Sequence, residues 1–276
     1  MIKIDSHIHF WNYDPVKDAW ISDDMKVLQQ SFLPQDIQPV LHNNIIDGCI
    51  AVQADQSDQE TKWLCALARE NHFIKGVIGW IDLRADDIET QLQQYKAEPL
   101  LKGFRHIVQA ERDNDFLLQP AFCRGIEALA AHGYVYEILI YPKQLTAAIE
   151  FVQRFPQLKL ALDHCGKPDI KNKDYHQWQE QLKTLARNPN LYCKVSGLIA
   201  EADWTNWKEE EIYAVLDIVL SCFGIERIFF GSDWPVLLLA GSYEKWLKLL
   251  GKYFEPYSLE DKARFWSGNA IEFYGL

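Results

Sequence analysis

Short apolar runs and amphipathic stretches alternate along the whole 276-residue chain, and this alternation limits the possible folds more than any other feature. The apolar runs are rich in Val, Ile, Leu, Tyr and Phe, and they predict strands at 2–7, 48–53, 76–81, 102–108, 134–140, 158–163, 191–196 and 227–232. The stretches between them have apolar residues at helical spacing, and they predict helices at 35–42, 57–71, 86–96, 120–132, 143–154, 174–187, 208–223 and 241–253.

Eight strand–helix pairs are the number found in a (β/α)8, or TIM, barrel, which typically has about 250 residues. Near-continuous apolar strands fit a parallel sheet that is buried on both faces. A doubly wound open sheet is the alternative, but its first strand is usually followed by a glycine-rich turn, whereas the sequence here is His-Phe-Trp-Asn. We therefore predict an α/β protein with a single TIM-barrel domain over residues 1–276, and we expect the long segment 10–34 to form part of a lid.

Composition and charge exclude several classes of partner. The formal net charge of −11 argues against a nucleic-acid-binding surface. No stretch approaches the roughly 20 apolar residues of a membrane span, and polar residues interrupt the N-terminus too early for a signal peptide. The six cysteines form no C-x-x-C pair and are typical of reduced thiols. We expect a cytoplasmic protein with a small-molecule substrate, and homo-oligomerisation remains open.

Polar side chains stand at the predicted C-terminal ends of the strands, where TIM barrels carry their chemistry. His7 and His9 end the first strand, and because alternate strand residues point the same way, the two imidazoles should project together. Six later strands carry polar residues at or near their ends, namely Gln53, Arg105, His106, Glu137, Asp163, His164, Lys194, Ser196, Ser232 and Asp233. Unpaired buried charges cost too much to be incidental, so this pattern predicts an active site.

Other familiar catalytic motifs are absent from the sequence. There is no G-x-S-x-G nucleophile elbow, no H-E-x-x-H zinc helix and no G-x-x-x-x-G-K-[ST] phosphate loop. A cysteine nucleophile would need a histidine partner, and only Cys165 is next to one in the sequence.

The polar set resembles a known family. His-x-His on the first strand, His164 on the sixth and Asp233 on the eighth resemble the amidohydrolase superfamily of TIM barrels. The motifs around them are similar to the amidohydrolase-related (amidohydrolase 2) family, in its sugar-lactonase branch. They are Val52-Gln53-Ala54, Gly79-Trp80-Ile81-Asp82-Leu83, Gly103-Phe104-Arg105-His106, Leu162-Asp163-His164-Cys165-Gly166-Lys167-Pro168, Cys193-Lys194-Val195-Ser196-Gly197-Leu198, Phe230-Gly231-Ser232-Asp233-Trp234-Pro235 and Asn269-Ala270.

The resemblance implies a metal site of limited size. His7, His9 and Asp233 match the family's ligand positions, with His164 as a fourth ligand, and this set suits a single Zn²⁺ or Mn²⁺. The binuclear members also use a lysine at the end of strand 4 and a histidine on strand 5. Here Lys102 stands at the start of strand 4, and Glu137 takes the histidine's place, so we expect no second ion. The resemblance leaves a metal-independent reaction open.

Roles for the other residues follow from the chemistry of lactone opening. We assign Asp233 as the general base that activates water, and His164 and Arg105 as groups that polarise the carbonyl. Residues expected to contact the substrate are His106, Lys194, Gln53, Glu137 and Trp234. Neighbours in a strand face opposite ways, so Arg105 and His106 cannot both point into the barrel.

The function that this resemblance implies is hydrolysis of a sugar-acid lactone, an aldonolactone similar to L-fuconolactone. A metal-dependent decarboxylase of the same superfamily is the alternative, and it would be distinguished by strict metal dependence and CO₂ release. A barrel that only binds its ligand is a third hypothesis, but a binding module has no need of a general base.

Overall fold

The computed structural model describes all residues 1–276 and shows one sheet of eight parallel strands in chain order. The strands are β1 (Ile4–Ile8), β2 (Gly48–Val52), β3 (Ile74–Gly79), β4 (Leu101–His106), β5 (Val135–Ile138), β6 (Leu160–Leu162), β7 (Leu191–Val195) and β8 (Ile228–Phe230). A parallel bridge between Ile8 and Trp234 joins the first strand to the segment after the last. The predicted (β/α)8 barrel is therefore confirmed.

Helices follow the strands around the outside of the barrel. They are α1 (Pro34–Asn43), α2 (Asp58–Glu70), α3 (Ile88–Gln94), α4 (Pro120–Ala131), α5 (Leu145–Arg154), α6 (His176–Leu185), α7 (Glu209–Phe223) and α8 (Tyr243–Tyr253). Two short helices come after them, α9 (Leu259–Ala263) and α10 (Asn269–Tyr274), which the sequence pattern did not predict. None of the helices combines the length and the apolar character needed to cross a bilayer.

Local sequence explains where these helices begin and which face they bury. The Ser57 hydroxyl accepts a hydrogen bond from the Glu60 amide and caps α2, and the Ser242 hydroxyl caps α8 in the same way. In α2, the side chains of Leu64 and Ala68 are buried against the sheet side at helical spacing, so the amphipathic face is used as the pattern predicts.

The N-terminal end of the barrel is closed by the C-terminal helix. Ala270, Phe273 and Tyr274 of α10 form one buried cluster with interior strand residues, which include Ile50 and Phe229. The opposite end, where the strands finish, is thus the end left available for a site.

Strands β6 and β8 are shorter than predicted: the ranges 158–163 and 227–232 become Leu160–Leu162 and Ile228–Phe230. Left-handed residues follow within three positions of their ends, His164 with φ = 52° and Asp233 with φ = 63°. Positive φ is uncommon for residues with a side chain, and it often occurs where function demands a particular side-chain direction.

Candidate active site

Four side chains meet at the C-terminal end of the barrel, and we call them the mouth cluster: His7, His9, His164 and Asp233. The Asp233 Oδ1 atom lies 3.3 Å from Nε2 of His9, 3.7 Å from Nε2 of His7 and 4.0 Å from Nε2 of His164. All four side chains are buried or nearly so. The predicted convergence of the first, sixth and eighth strands is present in the structure.

A glycine makes room for this cluster. A Cβ atom at Gly197 would lie 2.6 Å from Nδ1 of His164, and Gly197 has φ = 67°, a conformation that favours glycine. The Ser196 hydroxyl lies 2.9 Å from the same Nδ1 atom. The Ser196-Gly197 pair at the end of β7 therefore both orients His164 and allows its close approach.

Hydrogen bonds define which imidazole nitrogens are available. Nδ1 of His9 lies 2.8 Å from the Val52 carbonyl, which can only accept, so the neutral ring carries its proton on Nδ1 and a lone pair on Nε2. The Ser196 hydroxyl can accept a hydrogen bond from Nδ1 of His164 or donate one to it. In the first case Nε2 of the neutral ring carries a lone pair, and in the second case it carries a proton and can donate. His9 therefore directs a bare acceptor at the Asp233 carboxylate.

The protonation states fit this arrangement. Burial lowers the pKa of His164 to about 4, and it also lowers the pKa of His7 well below its usual value, so both rings are neutral near pH 7. Burial by itself would raise the pKa of Asp233, but the basic groups beside it, namely His164, His9 and Lys167, outweigh this effect and lower that pKa. An ionised carboxylate thus faces the neutral rings of His7 and His164.

The mouth cluster has the donor chemistry of a divalent metal site. Ligands of a tetrahedral zinc ion, with bonds of about 2.0–2.1 Å, lie roughly 3.3 Å apart. Nε2 of His7 and Nε2 of His9 are 3.1 Å apart, and the distances from Asp233 Oδ1 run from 3.3 to 4.0 Å. His7, His164 and Asp233 each offer a ligand atom within 4.8 Å of the others. The ligand atoms of His7 and Asp233, together with Nε2 of either His9 or His164, therefore have spacings that suit a single ion.

A second polar set lies directly beneath the mouth cluster, and we call it the buried ion-pair cluster: Arg105, Glu137, Asp163 and Lys194. Lys194 is fully buried, and its Nζ lies 2.7 Å from Glu137 and 3.0 Å from Asp163. Arg105 Nη1 donates to Asp163 at 2.9 Å. Lys194 and Arg105 outweigh the effect of burial and lower the pKa of Asp163. Two cations and two carboxylates neutralise each other here.

The two clusters touch at His7. Lys194 Nζ lies 3.0 Å from its Nδ1 atom, and Arg105 Nη1 lies 3.1 Å from its Nε2 atom. A neutral imidazole can accept only one of these two hydrogen bonds, so two tautomers of His7 compete. The tautomer with a lone pair on Nε2 is the one that can bind a metal ion.

Of the neighbours Arg105 and His106, Arg105 is the one that points into the barrel, but its hydrogen-bond donors already have partners. Its guanidinium makes three contacts of hydrogen-bond length with Gln53, at 2.5 to 3.0 Å, besides those with Asp163 and His7. These contacts use all five N–H directions of an arginine. Arg105 can therefore supply positive charge beside the site, but it donates to a new oxygen only by giving up a present partner.

An open pocket of about 400 Å³ lies above the mouth cluster. Its floor includes His9, His164, Asp233 and Arg105, and its walls include Trp11, Trp20, Met25 and Tyr141. Three of these wall residues come from segment 10–34, which lies over the barrel mouth in the position expected for a lid. A pocket of this size and mixed character suits a small polar ligand with some apolar faces.

Several residues expected at the site lie elsewhere. His106 faces the helix layer, where it stacks on Phe116 with ring centroids 4.6 Å apart and contacts Glu111 at 2.8 Å, because Arg105 takes the inward direction. Trp234 packs edge-on against Phe32 rather than lining the pocket. The prediction that His106 and Trp234 contact the substrate is therefore wrong, since neither side chain lines the pocket.

Three further expected contact residues are one layer too deep. Gln53, Glu137 and Lys194 are completely buried, and their polar atoms bond to other parts of the barrel interior. They support the site from below instead of reaching into the pocket.

The sequence reasoning missed two features of the interior. Tyr274 of α10 donates from its hydroxyl to Glu137 at 2.6 Å, and no local pattern connects residues so far apart in the chain. Lys167 lines the pocket, and its place three residues after His164 in the motif of the sixth strand could have pointed to it.

Comparisons with known proteins agree with this geometry. Residues 4–276 match the amidohydrolase family. The chain is 37% identical to an L-fucono-1,5-lactonase from Burkholderia multivorans, over 100% of this chain and 96% of that protein. It is 31% identical to an L-fucono-1,5-lactonase from Burkholderia ambifaria, over 99% and 96%. A crystal structure of a Burkholderia multivorans amidohydrolase with bound zinc has a TM-score of 0.97 at 37% identity and full coverage of both chains.

A structure of 5-carboxyvanillate decarboxylase from Sphingomonas paucimobilis is also similar, with a TM-score of 0.66 at 16% identity and coverage of 100% and 99%. Similarity at that level shows the shared fold alone.

Proposed function

The chain belongs to the amidohydrolase family, and from that premise we propose that it is a lactonase that opens a sugar-acid lactone with Asp233 as the general base. The observation that carries this proposal is the position of Asp233 Oδ1, which lies within 4.0 Å of three imidazole nitrogens at the floor of the pocket. An ionised carboxylate in this position can accept a proton from a water molecule that attacks a bound carbonyl.

The same carboxylate completes the reaction. As the water oxygen bonds to the lactone carbonyl carbon, Asp233 takes the water proton, and a tetrahedral intermediate forms. When the ring C–O bond breaks, Asp233 returns that proton to the leaving alkoxide, which becomes a hydroxyl group of the open-chain acid. General acid–base catalysis of this kind contributes roughly 10²–10⁴-fold to the rate.

Positive charge and hydrogen-bond donors near the carbonyl favour the negative oxygen of the intermediate. His164 can donate from Nε2 when the Ser196 hydroxyl donates to its Nδ1, and the charge of Arg105 lies just below. A divalent ion held by His7, His9, His164 and Asp233 would polarise the carbonyl in place of the His164 N–H, since a ligating Nε2 atom carries a lone pair and no proton. These residues therefore support a metal ion, zinc being the ion in the similar structure, without making every step depend on it.

The substrate class follows from the pocket and from the relatives. Trp11 and Trp20 pack edge to face, 6.1 Å between ring centroids, and both line the pocket, where aromatic rings suit the C–H faces of a sugar. Two relatives that match nearly the whole chain are named for L-fucono-1,5-lactone. We propose an aldonolactone of that class as the substrate.

A panel of aldonolactones tests this function. Proton release would be followed with a pH indicator for L-fucono-, L-rhamnono-, L-galactono- and D-galactonolactone, with and without a chelator. Asp233→Asn should lower kcat by about 10²–10⁴-fold. The matched control is Asp217→Asn, since Asp217 is an exposed carboxylate of α7 that accepts a hydrogen bond from Tyr253, far from the pocket; it should leave kcat unchanged. No enzymatic hydrolysis of any lactone would refute the proposal, and CO₂ release from aromatic acids would then favour the decarboxylase alternative.

A further inference from the structure

A lysine–glutamate pair stands at the edge of the pocket and has no part in the mechanism above. Lys167 lines the pocket, and its Nζ lies 2.6 Å from Oε1 of Glu201. The ammonium group sits over the ring of Tyr141, 5.1 Å from its centroid. The Lys167 side chain is only 12% exposed, and that of Glu201 is 24% exposed. Burial disfavours the charge, but Glu201 outweighs it and raises the pKa of Lys167.

The permanent charges around the pocket disfavour an anionic ligand, because each cation that lines it is already paired with a carboxylate. Arg105 and Lys167 are the arginine and lysine that line it, and each has its own carboxylate partner, Asp163 at 2.9 Å and Glu201 at 2.6 Å. Asp233 adds a negative charge that no lysine or arginine pairs with at salt-bridge distance. At the Lys167 end of the pocket, a substrate carboxylate would therefore meet an ammonium already paired with Glu201 and would be repelled by that carboxylate, which costs binding energy.

The same pair is well suited to hydroxyl groups. An ammonium has three donors, so the bond from Lys167 to Glu201, which does not itself line the pocket, leaves donors available to a ligand. A neutral hydroxyl group can accept a hydrogen bond from this ammonium without disturbing the charge balance of the pair. A cation–π contact with the Tyr141 ring helps to hold the Lys167 ammonium in a fixed position.

We propose that Lys167 and Glu201 form a specificity device that admits uncharged, polyhydroxylated lactones and rejects lactones that carry a carboxylate. This inference rests on the proposed lactonase function, and it deepens that function by defining the charge of the substrate. Lys167 and Glu201 are specificity residues here, separate from the groups that move protons.

Glu201→Gln tests the device directly. The variant keeps the side-chain shape but frees the charge of Lys167. We expect the ratio of kcat/KM for L-galactonolactone to kcat/KM for a galactarolactone, which differs by a terminal carboxylate, to fall about tenfold, mainly through KM. Glu209→Gln is the matched control, because Glu209 pairs with Lys252 at the same distance of 2.6 Å on the protein surface. That control should leave the ratio unchanged.

Lys167→Met should not lower the ratio of kcat/KM for the neutral lactone to that for the anionic lactone. This variant therefore distinguishes a charge effect from a general structural effect. It leaves the Glu201 carboxylate without its cation, so KM for L-galactonolactone should rise while the ratio of neutral to anionic substrate stays the same or increases. A general loosening of the loop would change the ratio in the same direction in both variants. An unchanged ratio in Glu201→Gln, or a fall of the ratio in both variants, would overturn the proposal.

Failure of this inference can be told apart from failure of the function. If the wild-type protein hydrolyses L-galactonolactone and Glu201→Gln does not change the ratio, only the specificity device is wrong. If the wild-type protein hydrolyses no lactone, both proposals fall. Calorimetric titration with the two corresponding lactams, whose amide carbonyl is less reactive than that of an ester, gives the same comparison from binding.

Discussion

Two groups of buried polar side chains lie one above the other inside the barrel, and they differ in how they are satisfied. In the buried ion-pair cluster, every charge has an opposite charge within 3.0 Å, and Tyr274 closes the set from below. In the mouth cluster, acceptor faces acceptor: a lone pair of His9 lies 3.3 Å from the Asp233 carboxylate. One arrangement is complete without a ligand, and the other is not.

This difference teaches how to tell support from chemistry among buried polar groups. A fully paired cluster stabilises a particular geometry, and breaking it should cost folding free energy. A cluster with converging, unsatisfied acceptors is suited to a metal ion, a proton or a substrate, and changing it should cost activity instead. The predictions below test this contrast, beginning with the largest expected effect.

Removing the central cation of the paired cluster should mainly destabilise the protein. Lys194→Met leaves Glu137 and Asp163 without the ammonium that lies within 3.0 Å of both, in a site with no solvent exposure. Breaking a buried pair in this way costs about 3–5 kcal/mol of the free energy of unfolding. Urea denaturation measures the loss. Lys252→Met, at an exposed ion pair, is the control and should change stability by less than about 1 kcal/mol. Equal losses in the two variants would contradict the contrast.

A single methyl group beneath His164 should reduce activity strongly. In Gly197→Ala the new Cβ would lie 2.6 Å from Nδ1 of His164 and 3.1 Å from Oδ2 of Asp233, so it would displace the His164 ring from its present position. A displacement of about 1 Å at a catalytic group can cost roughly 10²-fold in rate, so we expect a loss of that order in kcat/KM. Gly251→Ala is the control, because a Cβ there meets nothing within 4 Å. Full activity in Gly197→Ala would show that the position of His164 is unimportant.

The pH profile should have an acidic limb that lies well below neutrality. Because burial lowers the pKa of His164 to about 4, its neutral form persists as the pH falls, and the lowered pKa of Asp233 keeps the base ionised over the same range. We therefore expect kcat/KM to stay constant from about pH 8 to about pH 5 and to fall only below that. This expectation is checked by measuring kcat/KM as a function of pH at a constant metal concentration. A fall centred near 6.5, the ordinary histidine value, would mean that the mouth cluster is more hydrated than the structure shows.

The sequence predicted the barrel and its mouth well because both depend on local periodicity. Apolar runs mark the eight strands, and the rule that strand ends carry the chemistry brought His7, His9, His164 and Asp233 together. Boundaries were less accurate at β6 and β8, which are shorter than predicted and are each followed by a left-handed residue.

Other features depend on contacts that sequence periodicity does not describe. Alternation showed that Arg105 and His106 face opposite ways, but only the packing of Phe116 shows which one faces outward. The sequence pattern also does not show whether a charged residue at a strand end faces the pocket or pairs with another buried charge. Lys194 and Glu137 pair with each other. The bond from Tyr274 to Glu137 joins two residues 137 positions apart.

The most direct test makes the same substitution in both clusters. Asp233→Asn and Asp163→Asn would each be measured for kcat with the preferred lactone and for the free energy of unfolding in urea after chelation. We expect Asp233→Asn to lose about 10²–10⁴-fold in kcat with stability equal to or above wild type, since that carboxylate has no permanent cation to lose. Asp163→Asn should lose about 3–5 kcal/mol because Arg105 and Lys194 lose their shared partner. A kcat retained in Asp233→Asn, or equal destabilisation of both variants, would contradict the account.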